Sequence, residues 1–354
     1  MANWMIYGAN GYTGELIARE AKARGLNPIL AGRNENAIIA LAEELGFNNR
    51  IFNLSDQKNT VHQLSEVQLV LNCAGPFSTT SQQMITACIQ SGTHYLDITG
   101  EISTFEYAHS QNLRAEEANI VLCPGVGFDV TPTDCIAAQL KQMLPDAHYL
   151  ALGFDSNSAM SPGTAKTAIE GLAMGGKVRI NGQIKTVPLA WKTRLIDFGK
   201  GDKLATTIPW GDVSTAFYTT GIPNIEVYIP MSSKRLSILK RANYIRWLLG
   251  WSFIQSFLKK KAAEQKGPNI EQVKSQLTYV WGEVTNTQGK SKAVRITTAN
   301  GYALTVASSL GIAEYLLNNK LKGGYKTPSQ VVGSDFIKGL PGYSENFNRD
   351  DSLK

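Results

Sequence analysis

The feature that most constrains this chain is a glycine-punctuated loop near its start, Gly8-Ala9-Asn10-Gly11-Tyr12-Thr13-Gly14. An apolar run, Trp4 to Tyr7, precedes it, and a helical pattern from Thr13 to Arg24, closed by Gly25, comes after it. Strand, glycine turn and helix in that order make a cradle for a pyrophosphate: the glycines allow a tight turn and close backbone approach, and the helix N-terminus supplies positive potential. The G-x-x-G-x-x-G spacing differs from G-x-G-x-x-G in its first gap but meets the same physical demand. The plainer alternative is a glycine turn with no ligand.

Beyond Gly25 the alternation continues. Pro28–Ala31, Arg50–Asn53, Val67–Cys73, His94–Ile98 and Ile120–Cys123 read as further strands. Ala37–Leu45, ending at Gly46, and Thr80–Gln90, stopped by Gly92, read as helices between them. Short apolar runs alternating with helices predict a parallel, doubly wound α/β sheet. The texture changes at Gly125. Thr131-Pro132-Thr133-Asp134 opens a helix to about Leu144, with Thr as cap, Pro at the first helical position and an acid after it. From His148 to Pro230 strands are expected, interrupted by one helix at about 163–174. Ser275–Val284 and Lys292–Thr298 read as a strand pair, and about Val306–Asn318 as a last helix packing back on the first domain.

The end of the second strand sets the cofactor. A residue that accepts hydrogen bonds from a ribose 2′-hydroxyl would be acidic; here the chain has Ala31-Gly32-Arg33-Asn34. Arg33 can pair with a 2′-phosphate, which favours NADP(H), with NAD the less favoured alternative. Its plainer reading is a surface arginine. Asn72-Cys73-Ala74-Gly75-Pro76-Phe77 ends the fourth strand, where small residues let ribose and nicotinamide approach. Cys73 reads as a small buried side chain rather than a nucleophile.

Composition excludes other classes. The net charge of +6 resides in one segment: Lys234, Arg235, Lys240, Arg241, Arg246, Lys259, Lys260 and Lys261, with no acid among them. Removing those eight charges leaves −2 for the rest, so no nucleic-acid partner is expected. The four cysteines form no C-x-x-C pair and no metal site is expected. The N-terminus lacks the regions of a signal peptide and no apolar run reaches the length of a spanning helix, so a cytoplasmic protein is expected. The basic segment has two readings. Trp247, Trp251, Ile254 and Leu258 share one face of a continuous helix, which suits a peripheral membrane contact through 244–261; a packed lid or a homodimer contact is the competing one.

The sequence resembles the saccharopine dehydrogenase-like oxidoreductases, including the trans-acting enoyl reductases. The matching segments are Gly8–Gly14, Ala31–Arg33, Asn72–Phe77, His94-Tyr95-Leu96-Asp97-Ile98-Thr99-Gly100-Glu101 and Gly127-Phe128-Asp129. Looser matches are Pro209–Val213, Thr219–Pro223 and Lys326–Pro328. The resemblance implies a Rossmann domain, an inserted α+β domain covering the cofactor, a C-terminal return to the first domain, and an NAD(P)-linked reduction of unstated substrate. The expected division is therefore 1–129 as the NADP(H)-binding Rossmann domain, 130–303 as an α+β substrate domain, and 304–354 packing on the first. No Ser-Tyr-x-x-x-Lys constellation supports short-chain dehydrogenase chemistry.

The expected cofactor residues are Gly8, Asn10, Gly11, Tyr12, Thr13, Gly14, Arg33, Asn34, Cys73, Ala74, Gly75, Pro76, Phe77, Gly100 and Glu101. The expected catalytic residues are Asp97, Asp129 and Lys166. Asp97, Glu101 and Asp129 lie at or just after strand ends, where each can orient the nicotinamide ribose or handle a proton; Asp97 and Asp129 can equally do no more than hold backbone amides. Lys166 can hold a substrate carboxylate, donate a proton or stand solvated, and Tyr95 can be core or catalytic. An NADPH-dependent oxidoreductase acting on a C=C, C=N or C=O bond of a small or acyl metabolite is expected. The rivals are a trans-acting enoyl reductase on lipid or polyketide acyl chains, and a non-catalytic NADP(H)-binding or membrane-surface protein.

Overall fold

The computed structural model describes residues 3–156, 169, 171–263 and 276–345. The chain divides into two units, Met1–Thr131 with Leu304–Gly333, and Pro132–Ala303 with Ser334–Lys354.

The first unit is built on a seven-stranded sheet. Its strands are β1 (Trp4–Tyr7), β2 (Ile29–Gly32), β3 (Asn49–Ile51), β4 (Leu69–Asn72), β5 (His94–Asp97), β6 (Val121–Cys123) and β15 (Gly324–Tyr325). The order is β15-β6-β5-β4-β1-β2-β3, and each neighbouring pair is parallel. β1, β2 and β4 are buried along their whole length. Covered on both faces, strands of a parallel sheet must be apolar throughout, which is why they read as continuous apolar runs rather than alternating ones. The helices α1 (Tyr12–Ala23), α2 (Glu35–Leu45), α3 (Gln57–Leu64), α4 (Phe77–Ser91), α5 (Ile102–Ser110) and α6 (Asn112–Glu117) connect them. Leaving β1, the chain adds β2 and β3 on one side and then returns to place β4 on the other. That reversal opens a crevice at the carboxyl ends of β1 and β4, where doubly wound sheets bind ligands.

Helix α12 (Gly301–Asn318) contributes most of its length to the first unit. Thr305 Oγ1 accepts from the Phe128 amide at 2.9 Å, and Ser308 Oγ donates to the Val126 carbonyl at 2.6 Å. These bonds fix the loop that carries Asp129. The expected C-terminal return is thus narrower than 304–354: from Ser334 onward the described chain belongs to the second unit. There β16 (Ser344–Glu345) pairs with β14 (Ser291–Ala299), and Ala299 donates to the Pro341 carbonyl at 2.8 Å.

The second unit begins in α7 (Thr131–Met143) and is organised on a mixed sheet with the path β10-β11-β12-β7-β13-β14-β16. These are β7 (Tyr149–Ser156), β10 (Thr193–Asp197), β11 (Asp202–Thr207), β12 (Asn224–Pro230) and β13 (Leu277–Thr285), with the hairpin β8 (Gly176–Ile180) and β9 (Gln183–Val187) attached to β12. The β13–β14 pair falls where the strand pair was expected. Ile136 and Leu140 of α7 stand over Gly282, so this helix covers one sheet face. On the other, Ile196, Phe198, Ala205, Tyr228 and Trp281 form a cluster. Helix α8 (Asp212–Thr220) precedes β12.

The basic segment departs from expectation. It is not one continuous helix but α9 (Ser233–Ala242), a 3-10 turn (Asn243–Ile245), α10 (Arg246–Leu249) and α11 (Ser252–Ala263). A break at Gly250-Trp251 removes the single face that was to join Trp247, Trp251, Ile254 and Leu258; Ile254 is half-buried while both tryptophans are exposed. Among the described residues no helix is long and apolar enough to cross a membrane.

Candidate nucleotide-binding site

The glycine loop has the shape its spacing requires. Gly8 adopts φ +81°, and a Cβ there would stand 2.8 Å from the Ala74 nitrogen. Only glycine combines that conformation with that approach of two strand ends. At Gly14 a Cβ would stand 2.3 Å from the Gly8 carbonyl oxygen, so α1 packs onto the turn only because the position is bare. Gly8 and Ala9 donate to the Ala31 carbonyl at 2.7 and 3.2 Å, which locks the loop to the end of β2. Helix α1 has Gly11 as its N-cap, without a side chain to occupy the first turn. Asn10, Gly11 and Tyr12 are exposed and Thr13 is half-buried, so this end of the helix faces outward.

Arg33 and Asn34 are exposed at the end of β2. Among the described residues no carboxylate is bonded to Arg33, and Tyr7 feels its charge. Asn34 is engaged locally, since its Oδ1 accepts from the Ala37 amide at 3.3 Å and caps α2. Its expected cofactor role therefore competes with a helix cap. Asn10 Oδ1 lies beside Gly32, 3.2 Å from where a Cβ would stand.

At the end of β4, Gly75 and Pro76 are exposed, Cys73, Ala74 and Phe77 half-buried, and the Gly75–Pro76 bond is cis. Burial and the nearby Asp97 charge push the Cys73 thiol well above its usual range, which leaves it without nucleophilic character. Sequence reasoning missed how this loop is held. Asn72 is buried; its Oδ1 accepts from the Ala74 amide at 3.1 Å, and Thr80 donates to the Ala74 carbonyl at 2.6 Å. The available signal was a polar residue closing an apolar strand, which must find partners when buried.

The three carboxylates expected near the nicotinamide have different surroundings. Asp97 is fully buried: Oδ1 accepts from the Thr99 and Gly125 amides at 3.0 and 2.8 Å, and Oδ2 from the Tyr95 hydroxyl at 2.6 Å. Burial raises its carboxyl to about 6. Here the amide-holding alternative describes Asp97, and Tyr95 is core. Glu101 accepts from the Phe77 and Ser78 amides at 3.0 and 2.7 Å. It supplies the cap of α4 that the N-cap Pro76 cannot. Asp129 is half-buried, and its Oδ2 lies 2.7 Å from where a Cβ on Gly100 would stand, so the bare Gly100 makes room for the carboxylate. Burial raises Asp129 to about 7, the range in which a carboxyl exchanges a proton at neutral pH. Lys166 lies outside the described residues, as does most of the helix expected at 163–174. Among the described residues no cluster of His, Cys, Asp and Glu is gathered for a metal.

A cofactor with a pyrophosphate fits these residues. The bare loop accepts its close approach, the uncapped helix end favours its charge, and Arg33 stands where a 2′-phosphate would need a cation. Comparison with known proteins agrees. Residues 4–121 match the model of the saccharopine dehydrogenase NADP binding domain. A probable mitochondrial saccharopine dehydrogenase-like oxidoreductase of Arabidopsis thaliana is 29% identical over 199 residues, 49% of this chain and 44% of its own. A saccharopine dehydrogenase-like oxidoreductase of Mus musculus is 25% identical over 216 residues, 52% of this chain and 50% of its own. A trans-acting enoyl reductase of Mycobacterium leprae is 31% identical over 149 residues, 38% of this chain and 34% of its own. The chain spans about half the length, or less, of these relatives. Among solved structures, apo saccharopine dehydrogenase (L-Glu forming) from Saccharomyces cerevisiae superposes with TM-score 0.64 over 95% of this chain and 96% of its own, at 12% identity, a likeness of fold. Over residues 4–121, then, this chain is similar to the NADP binding domain of saccharopine dehydrogenase.

Proposed function

We propose that the chain is an NADPH-dependent oxidoreductase that reduces a C=C, C=N or C=O bond of a small or acyl metabolite, with Asp129 as its proton donor. The observation that carries the reading is the Asp129 carboxyl, which burial brings to about 7, set against Gly100 beside the carboxyl end of β5. Gly8 to Gly14 would hold the pyrophosphate, Arg33 the 2′-phosphate, and the Asn72–Phe77 loop the nicotinamide side. Such a cofactor supplies a hydride when bound. The reduction then needs one proton, and a carboxyl titrating near neutrality both holds it and releases it. Asp97 and Glu101 act by position: the first ties β5 to the Gly125 loop that leads to Asp129, and the second steadies the start of α4.

The mycobacterial relatives named trans-acting enoyl reductases make a conjugated C=C bond the first to try. The test is NADPH oxidation by the full chain over a panel of enoyl, carbonyl and imine substrates, with Asp129→Asn beside it. Turnover of one class is expected, reduced at least about a hundredfold in the variant, with NADPH affinity unchanged. Turnover equal in the two proteins removes Asp129 from the chemistry. Tight NADPH binding without turnover on any class would favour a non-catalytic nucleotide-binding protein.

A further inference from the structure

Helices α9 and α10 and the turn between them bury none of their residues. With the start of α11 they present Ile238 (58% exposed), Tyr244 (84%), Trp247 (66%), Trp251 (46%), Phe253 (63%) and Phe257 (67%). Scattered apolar residues are ordinary on a surface, but three of these are joined ring to ring. Trp247 packs edge-on against Trp251 at 5.5 Å between ring centroids, and Trp251 meets Phe253 at 5.6 Å. A joined apolar patch of this kind marks an interaction surface. Lys234, Arg235, Lys240 and Arg241 stand exposed in the same segment, and none is ion-paired among the described residues. No acid occurs from Lys234 to Lys261, while the chain outside that segment sums to −2. The segment is also held in place: Asn243 accepts from the Leu189 amide at 2.8 Å and donates to the Leu189 carbonyl at 3.0 Å, which fixes the middle of this surface to the strand-rich part of the unit.

Charge and shape together choose the occupant. A second copy meeting this face through a two-fold axis would set its cations against their own equivalents with no acid in the segment to offset them. A nucleic acid would satisfy the cations and could stack on rings, but it gives the exposed aliphatic Ile238 and Ile245 nothing to bury against. An anionic bilayer satisfies all three groups: rings at the headgroup level, aliphatic chains at the acyl boundary, and cations against negative headgroups. We infer that the α9–α11 face docks on the surface of an anionic lipid bilayer, as a peripheral contact that does not span it.

The test is flotation of the full chain with phosphatidylcholine vesicles carrying about 30% phosphatidylserine, against phosphatidylcholine alone. Binding is expected to the anionic vesicles, and to be weaker by at least about tenfold on neutral vesicles and in high salt, because surface charge attraction is screened. Trp247→Ser with Trp251→Ser should lose it by at least about tenfold, and so should Lys234→Glu with Arg235→Glu, since rings and charges act together. The second pair lies on exposed positions of another helix, so a folding defect in the first would not decide the matter. Circular dichroism and NADPH binding should match the parent chain in both. No binding to anionic vesicles, or binding by both variants equal to that of the parent chain, overturns the inference. So does a dimer in sedimentation that the Trp247→Ser/Trp251→Ser pair dissolves while vesicle binding is absent, which would assign the face to a second copy. Tighter retention on single-stranded RNA than on anionic vesicles would also overturn it.

Discussion

At the end of β2 a ribose 2′-hydroxyl needs an acceptor and a 2′-phosphate needs a cation, and Arg33 is the side chain that stands there. Asp129 shows the same dependence on surroundings in another form. Its carboxyl titrates near 7 because burial penalises its charge. If it donates the proton, kcat should fall as pH rises through about 7, where the acid form is lost, and Asp129→Asn should flatten that limb; a parent profile that rises across this range would contradict the role. Asp97 invites a stability experiment. Its folded value, about 6, lies above the ordinary 3.8, so the folded chain holds the proton more tightly than the unfolded one. The stabilisation is complete below about pH 4 and is lost as pH rises through 6, amounting to about 2–3 kcal/mol. Chemical denaturation at pH 5 and pH 8 should therefore show a steeper loss in the parent than in Asp97→Asn. Asp97→Ala, which strands the Thr99 and Gly125 amides and the Tyr95 hydroxyl, should cost about 2–4 kcal/mol at either pH. In sequence Asp97 was an acid at a strand end with amide-holding as one of two readings, and Glu101 only an acid after the same strand. That both would be consumed by backbone amides depended on the Gly125 loop and the start of α4, 28 and 24 residues away from their partners.

Among elements, those whose burial is complete were the most legible. β1 was read to the residue, and β2, β5 and β6 within a position or so, because a strand buried on both faces leaves an unbroken apolar run. Helices with an apolar stripe and a glycine stop, α2 and α4, were also readable, since Gly46 and Gly92 take the positive φ that ends them. α3 was not: Gln57-Lys58-Asn59-Thr60-Val61-His62-Gln63-Leu64 buries only Thr60 and Leu64, and its one clear mark is the Asp56 cap on the Asn59 amide. The basic segment failed for the opposite reason: its apolar residues are many, but a break at Gly250-Trp251 sets them on separate short helices. Glu101 carries the element-scale prediction. With Pro76 unable to cap α4, Glu101→Ala should lower stability by about 1–2 kcal/mol in denaturant titration, and Glu101→Gln by less, since the amide oxygen still accepts one of the two bonds. An unchanged midpoint in Glu101→Ala would mean that water caps α4 equally well.

For the whole molecule, what the sequence leaves open is pairing. β15 adds only Gly324 and Tyr325 to the edge of the first sheet, and β16 only Ser344 and Glu345 to the second; runs of two residues have no periodicity to detect. The division of the C-terminal segment depends on those pairings, and so the sequence placed all of it with the first domain. The second sheet joins β7 to β12 in parallel and to β13 in antiparallel, across separations no local pattern encodes. The glycine loop was legible because it is local: a strand, seven residues of loop and a helix make it, with Arg33 at the next strand end. The proposed reaction rests on that site taking NADPH through Arg33. A binding titration of NADPH and NADH against the full chain and its Arg33→Asp variant measures this without intermediaries. NADPH should bind at least about tenfold tighter than NADH, about 1.4 kcal/mol, and the variant should lose the preference while still binding NADH. Equal affinity for the two cofactors in the parent chain, or a preference that survives Arg33→Asp, would contradict it.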